Sequence, residues 1–162
     1  MESYIVKKLT AGTVFYKVPG ENKERTWKGD NARLRIPFQE LEDCMFDGAI
    51  RRLFAEGNLY IEDKECRIKL GLEAEDPTLE NDIPLVLDAS ELEKILYTDS
   101  VPTFKKKMEK LGGGSLEVLF SIAINSKKQL PVAKSDYLRK KYFIDVDMIQ
   151  RQKREDTVEK EV

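Results

Sequence analysis

The strongest constraint on this chain lies near its middle. Residues 71–84, Gly-Leu-Glu-Ala-Glu-Asp-Pro-Thr-Leu-Glu-Asn-Asp-Ile-Pro, are acidic, contain two prolines and show no helical or strand period. Proline removes a backbone donor and pushes the residue before it out of the helical region, so regular structure is not expected to run through this stretch. Before it, β-branched and aromatic residues gather in short runs. After it, apolar residues recur at helical spacing. The pattern predicts an α+β unit over 1–70, an acidic linker over 71–89, a unit of short helices over 90–154, and a charged tail over 155–162 that frays.

The first unit reads as a small antiparallel sheet with one broken helix. Tyr4-Ile5-Val6 and Thr13-Val14-Phe15-Tyr16-Lys17-Val18 have strand composition. Pro19-Gly20-Glu21-Asn22 is a turn, because proline presets φ and glycine or asparagine accepts a positive one. Lys23 to Trp27 returns as the hairpin partner, and Gly29-Asp30-Asn31 turns the chain into the alternating strand Arg33-Leu34-Arg35-Ile36. Pro37 opens a helical stretch carrying Leu41, Met45, Ile50, Leu53 and Phe54, interrupted at Asp47-Gly48, where Asp47 caps a second helix. Gly57-Asn58 stops it. Leu59-Tyr60-Ile61 and Cys66-Arg67-Ile68-Lys69-Leu70 then read as a second hairpin around Glu62 to Glu65.

Beyond the acidic stretch, the chain reads as four or five short helices. Ser90-Glu91-Leu92-Glu93 fits a capping box. Ser100 with Pro102 opens the next helix, and Leu111-Gly112 closes it. Ser115 is expected to cap a third, with Leu116, Leu119, Phe120 and Ala123 on its inner stripe. Tyr137, Leu138 and Tyr142 fall in a fourth, after Pro131. Val146 to Arg154 form a fifth, with Met148 and Ile149 inward.

Histidine is absent from all 162 residues. That removes the usual neutral-pH base and the commonest metal ligand, and with them Ser-His-Asp and Cys-His chemistry. Cys44 and Cys66 are expected as small buried hydrophobes, a disulfide between them being the minor alternative. No purely apolar run is long enough to span a bilayer, and the N-terminus lacks the form of a secretory signal. A cytoplasmic, non-enzymatic protein without cofactor or metal is the expectation.

Charge is unevenly spread. Residues 1–70 carry 13 basic and 12 acidic side chains, 71–99 carry one and nine, and 100–162 carry 14 and nine. Solvated helix faces and an acidic linker account for this distribution; a charged partner is the alternative. Gly112-Gly113-Gly114-Ser115 lacks the lysine and the preceding strand of a phosphate loop and reads as an interhelical turn. Asp145-Val146-Asp147 lacks the rest of a calcium loop. Lys105-Lys106-Lys107, Lys110, Lys127-Lys128 and Arg139-Lys140-Lys141, with Tyr142 and Phe143 beside the last run, are the residues that could meet phosphates and bases. Consecutive helical residues point in different directions, and Tyr and Phe are needed for the helical core.

Val14 to Val18, Arg25-Thr26-Trp27, Ile36-Pro37-Phe38-Gln39-Glu40-Leu41, Leu59 to Glu65, Lys69 to Glu73 and the helical tail around Ile144-Asp145-Val146 together resemble the layout of small, mostly uncharacterised proteins of tailed bacteriophages. The resemblance covers most of the chain, contains no specific motif and transfers no catalytic residue. It implies a small virion or assembly component, placed in the host cytoplasm or the particle.

Two function classes follow. The first is a structural or assembly protein acting through protein–protein contacts within a larger assembly, capsid- or tail-associated if phage-encoded. Tyr16, Arg25 and Trp27 of the first hairpin are its expected contact residues, because large aromatics and arginine dominate interface energetics; for Trp27 a core anchor of the sheet is the favoured reading and an exposed contact the alternative. The second is a nucleic-acid-associated accessory protein, with weak binding through Lys105, Lys106 and Arg139. No membrane partner is expected.

Overall fold

The computed structural model describes residues 2–161, and the side chains of residues 2–156. It is α+β, with small antiparallel sheets at the N-terminus followed by short helices. Strand β1 (Ser3–Lys8) is the middle of a three-stranded sheet in the order β4-β1-β5, formed with β4 (Arg33–Pro37) and β5 (Leu59–Ile61). Both pairings are antiparallel, and Val6 lies opposite Leu34 on one side and Ile61 on the other. β2 (Val14–Lys17) and β3 (Glu24–Trp27) form the expected hairpin, which is a two-stranded sheet of its own, with Val14 opposite Trp27 and Tyr16 opposite Arg25.

Alternation decides what this hairpin buries. Val14, Tyr16 and Val18 face inward while Phe15 and Lys17 face solvent. Trp27 is fully buried, and its Nε1–H donates to the Val6 carbonyl at 3.0 Å, which ties hairpin to sheet. Helices α1 (Phe38–Met45) and α2 (Gly48–Ala55) cover this core with Leu41, Cys44, Ile50 and Phe54. The break between them falls at Asp47, whose carboxylate accepts from the Ala49 and Ile50 amides at 3.0 and 3.1 Å. Gly57 follows α2 with φ +93°, a conformation that other residues rarely adopt.

Residues 66–70 are not a strand. Lys64–Lys69 form helix α3, and β5 pairs with β1 instead. The apolar pattern Cys66-Ile68-Leu70 satisfies a strand period, but its buried members Cys66 and Leu70 are also one helical turn apart. End effects settle the choice. The Asp63 carboxylate caps the Cys66 amide at 2.8 Å, Glu65 sits in the first turn, and Arg67 and Lys69 sit in the last.

The chain divides into two compact units. One comprises Met1–Asp88 with Lys110–Val118, the other Ala89–Glu109 with Leu119–Val162. Residues 71–88 thus belong with the α+β unit. Their C-terminal end is held by Leu85, whose amide donates to the Lys110 carbonyl at 2.7 Å and whose carbonyl accepts from Gly112 at 2.9 Å. The second unit contains α4 (Ala89–Tyr97), α5 (Val101–Lys110, except its last residue), the later part of α6 (Gly113–Asn125), α7 (Val132–Tyr142) and α8 (Val146–Glu161). Its buried residues include Leu92, Ile95, Leu96, Phe104, Met108, Leu119, Ala123, Leu138 and Val146.

Three local expectations are corrected here. Ser90 lies inside the first turn of α4, so it does not precede the helix as a cap. Ser115 lies inside α6, is fully buried, and its Oγ accepts from the Leu87 amide at 3.2 Å. Met148 on α8 is 59% exposed, and the inward positions are Val146 and Gln150. The Gln150 side-chain amide donates to the Ala123 and Ser126 carbonyls, so a polar residue fills a place that hydropathy reserves for an apolar one. Helix α8 continues through the segment expected to fray; the side chains from 157 onward lie outside the described residues.

The triple glycine is a packing device. The Gly114 and Ser115 amides donate to the Glu56 carbonyl at 2.8 and 3.2 Å. A Cβ on Gly112 would sit 2.7 Å from that carbonyl oxygen, and one on Gly114 would sit 2.8 Å from it. A Cβ on Gly113 would meet only the end of the Glu56 side chain, at 3.5 Å. Gly114→Ala should therefore destabilise the first unit by about 2–3 kcal/mol, as overpacking against backbone does. Gly113→Ala should be neutral or stabilising by up to about 1 kcal/mol through helix propensity. Urea midpoints for the two variants test the contrast, and equal midpoints would refute the close-contact account.

Candidate functional site

The three residues expected to contact partners are mostly interior. Trp27 has no exposed surface and Tyr16 retains 3%. Neither can present its ring to another protein while the fold is intact, so both are corrected from contact residues to core residues, while Phe15 and Lys17 on the opposite face of the hairpin stay exposed. Arg25 keeps 24% of its side chain in solvent, but its guanidinium is committed. Its Nη2 donates to Oε1 of Glu40 at 2.8 Å and its Nε to Oε2 at 3.1 Å, a two-point grip on the carboxylate. The Tyr16 hydroxyl donates to the same Oε2 at 2.7 Å.

Burial alone pushes the Glu40 carboxyl up. The hydrogen bonds from Arg25 and Tyr16 outweigh that and hold it below the usual carboxylate range. The partnership also pushes the Tyr16 phenol far above its ordinary value, with burial the larger cause and the bond to Glu40 the second. Cys44 and Cys66 are free and buried, and burial first of all pushes both thiols up to about 11. Buried thiols that remain protonated are poor nucleophiles. This cluster holds the hairpin to α1 and offers no reacting group to a substrate.

The helical unit holds a second buried charge. Lys134 is 2% exposed, and its Nζ donates to the carbonyls of Ile95, Leu96 and Asp99 at 2.8, 2.9 and 2.6 Å. These oxygens lie at and beyond the end of α4, where carbonyls lack partners within the helix. Desolvation lowers the Lys134 pKa, opposed by the charge of Asp99. The amine is a structural cap on the end of α4.

A groove lies open between α5 and α7. Its volume is about 500 Å³, and it is lined by Lys105, Ala133, Asp136, Tyr137, Lys140 and Lys141. Tyr137 lines it and packs edge-to-face with Phe104 and Tyr142, with ring centroids 5.3 and 6.2 Å away. Lys105 and Lys141 hold their ammonium groups 5.8 and 5.3 Å from the Tyr137 centroid, within cation–π range. Lys141 also donates to the Tyr137 hydroxyl at 2.9 Å, and this bond raises its pKa.

Of the three residues expected to contact phosphate, the structure places one in this groove, Lys105. Lys106 is exposed outside its lining, and Arg139 is paired with Asp136 at 3.1 Å. Tyr137, Lys140 and Lys141 join Lys105 because positions 133, 136, 137, 140 and 141 share one helical face, a 3–4 spacing visible in the sequence. Phe143, expected among the core aromatics, is instead 90% exposed, and Phe46 is 91% exposed.

Among the described residues, no group of three or more Cys, Asp and Glu side chains is placed to hold a metal ion. None of the described helices is long and apolar enough to cross a membrane. Compared with known proteins, the chain matches no family model, no curated protein and no solved structure.

The Glu40 cluster makes a pH prediction with a definite sign. A carboxyl whose folded pKa is depressed contributes stability above its unfolded value, and that stability is lost as pH falls through the folded value. Stability of the first unit should therefore fall below about pH 4.5, the ordinary glutamate range. Tyr16→Phe removes one of the bonds that hold the carboxylate. It should cost about 1.5–3 kcal/mol near neutrality, as loss of a hydrogen bond to a charged group does, and should move the acid transition to higher pH. Chemical denaturation across a pH series measures both, and an unshifted acid transition would remove Tyr16 from the account.

Proposed function

We propose that this chain is a non-enzymatic assembly protein acting through protein–protein contacts, as a minor capsid- or tail-associated component of a phage particle does. The observation that carries the reading is Phe143. It closes α7 with φ +59° and ψ +32°, the left-handed conformation in which helices usually place glycine. That conformation costs a residue with a side chain roughly 1–2 kcal/mol. The same residue leaves 90% of its surface in water. Glycine would relieve the backbone and remove the exposed ring together, so the fold gains nothing from phenylalanine here. A ring held at an exposed helix end is suited to anchor a partner, because buried aromatics supply much of the energy of an interface.

Phe46, between α1 and α2 of the other unit, is 91% exposed, and Phe15 on the hairpin of that unit is 60% exposed. Two units each offering an anchor suit a protein that joins partners, since tethering raises the effective concentration of the second contact. The resemblance in layout to small phage proteins supports the same reading.

Phe143→Gly separates fold from function. The variant should be more stable than the parent by about 0.5–1 kcal/mol, because the left-handed position accepts glycine without strain. It should also fail to enter the assembly. The readouts are the melting temperature of the purified protein and the fraction sedimenting with large particles after expression in a host producing them. A variant that is incorporated as well as the parent would overturn the proposal.

A further inference from the structure

We infer that the groove between α5 and α7 receives the acidic segment 75–82 of a second copy of this chain, with Leu79 as its apolar anchor. The inference rests on the assembly reading and names one partner for it.

The groove sets the chemistry of its occupant. Lys105, Lys140 and Lys141 line it, with Asp136 as the acidic member, and Asp136 already faces Arg139. The occupant must therefore be anionic. Ala133, the Tyr137 ring and the lysine stems supply carbon surface between the charges, so it must also carry an apolar group. A nucleic-acid strand meets the first demand and fails the second. Bases bind by stacking on an open ring face, and the Tyr137 ring is attended by two ammonium groups and packed edge-on against two aromatic neighbours. An acidic peptide with a short aliphatic side chain meets both.

This chain contains such a peptide. Residues 75–82 read Glu-Asp-Pro-Thr-Leu-Glu-Asn-Asp, and positions 75–80 are all exposed. Leu79 is 64% exposed, with Glu80 beside it and Asp76 and Asp82 three residues away on either side. The turn is already formed. Asp76 accepts from the Thr78 amide at 3.0 Å and its carbonyl from the Leu79 amide at 3.2 Å, and Asn81 accepts from the Ile83 amide at 3.0 Å. Docking a formed turn loses less entropy than docking a loose strand.

Each copy would carry one segment and one groove, so association is heterologous, head to tail, and extends into rings or open chains. A contact of this size is weak singly. It becomes effective where many copies or a scaffold raise the local concentration.

Sedimentation velocity of the full-length protein over a concentration series provides the test. The average mass should rise with concentration at low salt and fall back toward monomer at about 0.5 M salt, where charges are screened within a few ångströms. A groove variant, Lys140→Glu with Lys141→Glu, and a segment variant, Glu75→Lys with Glu80→Lys, should each weaken self-association at least about tenfold, since like charges then face each other. Mixed in equal amounts they should associate again, because the intact segment of one meets the intact groove of the other. That recovery shows that both variants are folded. Leu79→Ser should weaken association without altering its salt dependence. Several outcomes overturn the inference: a monomer at every concentration, a mixture that stays monomeric, or a groove whose lysines bind a single-stranded oligonucleotide while the chain remains monomeric. A monomer that still enters particles through Phe143 would end this inference and leave the assembly reading standing.

Discussion

The Glu56 carbonyl oxygen meets the amides of Gly114 and Ser115 where the end of one helix reaches the start of another. Carbonyls at a helix C-terminus and amides at a helix N-terminus both lack partners within their own helix, and each end carries a partial charge of opposite sign. Joining the two satisfies both. The approach requires backbone against backbone, and any Cβ at position 112 or 114 would lie within 3 Å of Glu56. Through this contact, and through Leu85 pairing with Lys110 and Gly112, residues 110–118 become part of the α+β unit although 21 intervening residues, 89–109, belong to the helical one. The same contact occupies two of the leading amides of α6, the groups a phosphate would need.

The interior polar and charged groups follow a related logic. Glu40 has Arg25 and Tyr16, Lys134 has three carbonyls, and Gln150 has two. A buried polar group left without partners costs more than its hydrogen bonds contribute when made, so each of these arrangements discriminates strongly against alternative packings. Arg67 shows the limit of such satisfaction. Its guanidinium reaches the Ile61 carbonyl at 2.7 Å and lies 4.6 Å from the Tyr60 centroid, while its Nε is buried without a hydrogen-bond partner. The arginine is held there by its other contacts, and it helps explain why α3 lies against β5.

Local signals carried much of this fold. The turn at 19–22, the cap at Asp47 and the stop at Gly57 depend on residues close in sequence, and all three were legible. What could not be read was non-local. Cys66-Ile68-Leu70 fits two periods, and only the Asp63 cap and the pairing of β5 with distant β1 decide between them. Serine favours caps, yet Ser90 and Ser115 lie inside helices, and Ser115 serves the Leu87 amide 28 positions away. The first docking candidates failed for a related reason. Interface statistics point to Trp, Tyr and Arg without regard to strand face, while the alternation Val14-Tyr16-Val18 already placed the Tyr16 ring with the buried set. The face that unites residues 133, 137, 140 and 141 is legible in their 3–4 spacing, which the consecutive lysines at 140 and 141 mask.

Strain and exposure point to function where core packing does not. Tyr16, Trp27, Glu40 and Lys134 are each explained by what they hold together, so none requires a partner. Phe143 is explained by nothing inside its unit: its side chain faces water and its backbone occupies a region suited to glycine. Under the proposed assembly role, the strained and exposed ring serves a contact outside the chain. Asn31, with φ +59°, is the control. Asparagine tolerates that conformation and commonly occupies turns, so the same geometry at position 31 carries no implication. The distinction between the two positions comes from the side chain each one carries, and at position 143 that side chain is an exposed ring at the end of a basic helix, where a partner can reach it.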